Sequence, residues 1–118
     1  MATPNIVNVS TINAVNAAAA ITTSRAAAID VAAEKVAKVN TILVCNIDGS
    51  NACDVTIEIS NDNGSTYYKI GSTISVPADA TLSFLDTPIW LDETDLLAVT
   101  AGTASDLSWH VSYTEMAD

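Results

Sequence analysis

The chain has 118 residues, enough for one domain, and carries 14 acidic against 4 basic side chains for a net charge of −10. So acidic a chain lacks the Lys/Arg cluster that binding to nucleic acid or to anionic membranes requires. Hydrophobic residues make up 49% of it, but 19 of these are alanine, so the core must come from 11 Val, 11 Ile, 7 Leu and 1 Phe.

Nothing at the N-terminus, Met1-Ala2-Thr3-Pro4-Asn5, resembles a secretory signal, and no apolar run reaches membrane-spanning length. The expected setting is therefore a reducing cytoplasm, with Cys45 and Cys53 as thiols. Residues 2–16 read as an extended arm or edge strand. Its phase slips between Val7/Val9 and Ile12/Ala14, which predicts a bulge. Residues 1–16 are accordingly set apart from a single domain over 17–118. From Ala17 to Lys38 two readings stay open. The alanine runs favour a helix capped by Ser24, with Ile29, Ala33 and Val36 on one face. The β-branched Ile21-Thr22-Thr23 and Ile29-Asp30-Val31 weigh toward strand.

Lys38 to Ile47 is rich in Val, Ile and Thr, and an Asp48-Gly49-Ser50-Asn51 turn follows. Cys53, Val55, Ile57 and Ile59 then alternate with polar residues in period two. If these two strands pair, Leu43, Cys45 and Ile47 share their inward face, and both cysteines are buried. They then sit diagonally, as reduced thiols rather than a cross-hairpin disulfide. Asn61-Asp62-Asn63-Gly64 is a hairpin signal. Short strands are expected at Thr66–Ile70 and Thr73–Val76, with Gly71 between, and at Thr81–Leu85 and Pro88–Leu91. Leu97, Val99 and Ala101 mark another. The last strand places Leu107, Trp109, Val111 and Tyr113 on one face and Ser108, His110, Ser112 and Thr114 on the other. Seven or eight short strands with turns between them predict an all-β antiparallel sandwich, jelly-roll-like.

Chemistry-bearing constellations are few. His110 has no neighbouring nucleophile and reads as a surface residue. The cysteine spacing fits neither a redox pair nor a zinc knuckle. The acid groups Asp92/Glu93/Asp95 and Asp48/Asp54 match no calcium loop and read as solvated turns. The expectation is no catalytic residue, no cofactor and no metal. Trp90, between Ile89 and Leu91, reads either as a core residue or, if those two face inward, as an outward-facing interface anchor.

The order and spacing of several segments carry a resemblance. They are Lys35–Asn40, Val44–Ala52, Asp54–Ile57, Ile74–Leu82, Pro88–Leu91, Asp95–Ala101 and Leu107–Glu115. Over about residues 5–116 the chain resembles small β-sandwich virion proteins of tailed bacteriophages, and it departs from them in the alanine-rich segment 14–33. The resemblance implies a non-enzymatic head decoration, or cement, protein on the capsid surface, assembled in the host cytoplasm. Its partners would be the major capsid protein and further copies of itself, a trimer being the first expectation. Asn5, Ile6, Val7, Val9, Ile12 and Trp90 are the candidate contact residues. The alternatives are a neck, tail or fibre protein of the same virion and a calcium- or carbohydrate-binding β-sandwich module.

Overall fold

A computed structural model describes residues 5–117. Nine strands follow in chain order: β1 (Thr11–Ala20), β2 (Ala26–Asp30), β3 (Lys35–Asn46), β4 (Cys53–Ser60), β5 (Tyr68–Val76), β6 (Thr81–Ser83), β7 (Ile89–Leu91), β8 (Leu96–Ala101) and β9 (Leu107–Ala117). They form two antiparallel sheets. One has the order β1-β9-β3, with β6 and β7 end to end along the far edge of β3. The other runs β2-β8-β4-β5. The all-β sandwich expected from the sequence is the observed architecture. Successive strands often lie in different sheets, so the chain crosses the sandwich repeatedly.

The question left open over 17–38 resolves as strand. Propensity favours helix for an alanine run, but nearly every residue of β1 finds a partner on β9, from Thr11↔Ala117 to Ala20↔Ser108. Tertiary pairing overrides a weak local preference. The phase slip expected near Val9 is no bulge within β1, whose ladder runs without a register shift. It falls where the chain turns into the strand.

The core lies between the sheets. It takes Ala37, Val39, Ile42 and Val44 from β3, Val55 and Ile57 from β4, Leu97, Val99 and Ala101 from β8, and Leu107, Trp109 and Val111 from β9. The period-two readings of β4, β8 and β9 hold. The reading of β3 does not. It was expected to form a hairpin with β4 and to turn Leu43, Cys45 and Ile47 inward. Instead β3 and β4 lie in opposite sheets, and Ile42, Val44 and Asn46 face inward. A bulge between Val39 and Thr41 is the physical reason, since one extra residue exchanges the two faces. Cys45 is therefore half-buried on the outer side, Ile47 is exposed, and Cys53 alone of the two thiols is buried.

Asn46 fills the inward position nearest the crossover. Its Nδ2 donates to the carbonyls of Asn51 and Val76 (both 2.9 Å), and its Oδ1 accepts from the Asp48 N–H (2.9 Å). A buried amide satisfied in this way fixes the path between the sheets. The hairpin of β4 and β5 forms as expected, with Asn63 and Gly64 in the left-handed region (φ 57° and 91°). The two short strands expected on either side of Gly71 are one strand, β5, interrupted by two bulges.

Candidate functional site

The outer surfaces of the two sheets differ, and the difference locates the candidate site. Outside the four-stranded sheet, the loop 61–67 folds back over β4 and β8. Ser60 Oγ accepts from the Gly64 N–H (2.8 Å), and Gly64 lies against Leu96 and Tyr67. Asp62 accepts from the Thr66 N–H (2.7 Å) and from Ser60 Oγ (2.9 Å). These bonds, that of Thr66 first, hold its carboxyl below the ordinary value.

Beneath this loop, Arg25 forms a two-pronged pair with Glu58. Nε to Oε1 is 2.9 Å and Nη2 to Oε2 is 3.0 Å. The guanidinium also stacks on the Tyr67 ring at 4.0 Å from its centroid. Hydrogen bonding to Glu58 raises the Arg25 pKa further. Glu58 is 4% exposed, so this outward-facing carboxylate is covered and paired.

The five-stranded sheet is covered only in part. The ladder aligns Ile12, Met116 and Val36 in one cross-strand row, and Ala14, Thr114, Lys38 and Trp90 in the next. Val36 and Met116 are buried outside the inter-sheet core, whereas Ile12 is 65% exposed and Trp90 50% exposed. Three strand spacings, about 14 Å, separate β1 from β7. Leu91 and Ile89 pack on the core, so Trp90 faces out as the alternation required, with Lys38 Nζ 5.9 Å from its ring centroid.

Ile12 and Trp90 thus come to the same end of one face. Asn5, Ile6, Val7 and Val9 precede the β1 end of that face. They form a turn in which the Asn8 N–H donates to the Asn5 carbonyl (2.8 Å) and the Val7 N–H to Asn5 Oδ1 (3.0 Å). Ile6 and Val7 are both exposed, and Val9 is half-buried. Arm residues 2–4 lie outside the described residues. Farther along the face come His110, half-buried and in contact with Asn16 Oδ1, and the small residues of β1.

The acid groups act as turn caps. Asp48 Oδ1 accepts from the Ser50 N–H (2.8 Å) and the Asn51 N–H (3.3 Å), which lowers its pKa, the Ser50 bond counting most. Asp95 Oδ2 accepts from the Asp92 N–H (2.8 Å), and Glu93 Oε2 from the Glu34 N–H (2.9 Å). Among the described residues no three His, Cys, Asp or Glu side chains converge as a metal site, and no ligand-sized cleft opens. The Arg25–Glu58–Tyr67 cluster left no signal in the sequence, because its members are dozens of positions apart or separated by a turn.

No family model matches the chain, and no curated protein sequence is significantly similar to it. Among solved structures, it is similar to that of Bacillus endospore appendages, a family of disulfide-linked pili. The match covers 91% of this chain and 86% of that one, at 16% identity and a TM-score of 0.54. A pentameric capsid protein isolated from metagenomic phage sequences gives 12% identity and a TM-score of 0.42, over 89% of this chain and 61% of that one. At 16% identity the likeness to the appendage protein is one of fold.

Proposed function

We propose that the chain is a non-enzymatic structural subunit of a virion that decorates the outer capsid surface and stabilises the head, with the major capsid protein as its partner. The observation that carries this reading is the uncovered end of the five-stranded sheet. There Ile12 and Trp90 are exposed on one face, and the exposed Ile6 and Val7 of the arm precede its β1 strand. A half-exposed Trp on the same face as an exposed Ile suits an interface anchor. The net charge of −10 suits a surface turned away from packaged DNA. A fold shared with a pilus protein is compatible with service as a repeated structural unit.

The test uses heads of the virus that encodes the chain. Trp90→Ala, Ile12→Ser and a deletion of residues 2–9 are each compared with the intact protein for occupancy on particles. The deletion stops short of Thr11 because β1 begins there. The expected result is at least a tenfold loss of occupancy for Trp90→Ala, with the folded state retained. Undiminished occupancy in all three variants overturns the contact assignment. Antibody label on the neck, tail or fibres instead of the head overturns the decoration reading and moves the protein within the virion.

A further inference from the structure

A sandwich of two open sheets has four edges, and each exposes unpaired backbone groups. Three of them here are protected. The edge beyond β3 is made of two three-residue strands, β6 and β7, with Pro88 immediately before β7. The β5 edge is bent by two bulges and carries Lys69, and Thr73 is held there at a φ of 45°. The β2 edge is five residues long, shifts register between Ala27 and Ile29, follows Arg25 and ends in Asp30. Short length, bulges, proline and charge are the usual guards of an edge.

The fourth edge, β1, has none of these. It runs ten residues as Thr-Ile-Asn-Ala-Val-Asn-Ala-Ala-Ala-Ala, with no charge, no proline, no glycine and no register shift. Which backbone groups it offers follows from the ladder. The Ile21 N–H donates to the Leu107 carbonyl (2.8 Å), one step beyond the Ala20↔Ser108 pair. In an antiparallel ladder bonded and unbonded pairs alternate. The odd positions of β1 therefore bond to β9. The even positions, Ile12, Ala14, Asn16, Ala18 and Ala20, direct N–H and C=O to the open side.

We infer that this edge pairs with the β1 edge of a second copy of the chain, antiparallel across a twofold axis near Asn16. Three observations select that occupant. First, a ten-residue straight edge needs a partner equally long and straight, and among the described residues β1 itself is the one strand edge of that kind. Second, two chains of net charge −10 repel, and β1 brings no charged side chain to the contact. Third, centring the pair on Asn16 matches five outward-facing positions with their symmetry mates. That gives about ten backbone hydrogen bonds, the number a specific interface of ordinary size contains. The contact joins two five-stranded sheets into one and closes on two copies, so it stands in place of the threefold contact expected from the sequence. It does not rest on the virion reading, because it is a property of the isolated chain.

Sedimentation equilibrium of the full chain tests it. The expected species at high concentration is a dimer of twice the 12.2 kDa chain mass. Ala18→Pro removes an N–H that faces the open side and no bond to β9, so it leaves a folded monomer at the same concentration. Amide exchange in the unsubstituted chain supplies a second measurement if that variant misfolds. The N–H groups of Ala14, Asn16 and Ala18 are expected to exchange slowly in concentrated solution and rapidly on dilution. A monomer at all soluble concentrations, a trimer, a dimer that survives Ala18→Pro, or rapid exchange of these amides at every concentration overturns the inference.

Discussion

The two sheets share one core but differ in which of their strands are covered from outside. Outside the four-stranded sheet, loop 61–67 buries Leu96 and Ser60, and Arg25 covers and neutralises Glu58. Outside the five-stranded sheet, Ile12 stays exposed on the long unguarded β1 edge and Trp90 on β7 across the sheet from it. The acidic chain thus covers β4 and β8 of one sheet with its own polar loop, although Tyr68, Ile70 and Ile74 of β5 stay exposed, and leaves Ile12 and Trp90 of the other sheet uncovered on a face otherwise lined by small and polar residues. A small domain gains little by exposing large side chains and an open edge. The open β1 edge, with Ile12 and Trp90 on its sheet, is where a partner would bury the most unpaired surface.

Substitutions at matched outer-face positions sharpen the contrast. Leu96→Ala removes a side chain covered by the loop and should cost about 2–4 kcal/mol in urea unfolding. An effect as small as that of an exposed residue would mean the loop is no true cover. Arg25→Ala comes next. It leaves Glu58 without its partner and should lower the thermal midpoint, by less than Leu96→Ala, because the Arg25 side chain is 47% exposed and water screens the pair. Arg25→Lys should recover little of the loss, since it lacks both the fork and the stack on Tyr67.

Acid should loosen the sealed side first. Asp62 in the folded chain lies below its ordinary value of about 3.8, through the Thr66 N–H before all else. A carboxyl depressed on folding stabilises above its unfolded pKa, and that contribution fades as pH falls through the lower folded value. Amide exchange across 61–67 should therefore accelerate below about pH 4. Asp62→Asn, which removes the titrating carboxylate, should flatten that response. The smallest effect belongs to the open side, where Ile12→Ser should change unfolding free energy by no more than about 0.5 kcal/mol. A large loss there would show that Ile12 serves the fold and not a partner.

The sequence made the fold class readable because period two survives in β4, β8 and β9, where inner and outer residues alternate without interruption. It misled in β3, where the bulge after Val39 exchanges the faces and the loop to β4 changes sheets. Neither leaves a local mark, since Asn40 and the Asp-Gly turn suit a hairpin equally well. Of the candidate contact residues, Trp90 was legible from the alternation around it. That Ile12 shares its face depends on the long-range pairing of β1, β9 and β3, which composition does not encode. The edge itself was hidden in an alanine run whose intrinsic preference is helical.

The proposed contact surface is the side of the five-stranded sheet bearing Ile12 and Trp90, together with the β1 edge. Hydroxyl-radical footprinting of the chain, free at low concentration and then in its assembled particle, tests it most directly. Protection confined to Ile6, Val7, Ile12 and Trp90, with Tyr67 and Tyr68 of the opposite sheet unchanged, is the result predicted. Protection of Tyr67 and Tyr68 while Ile12 and Trp90 remain reactive would contradict it.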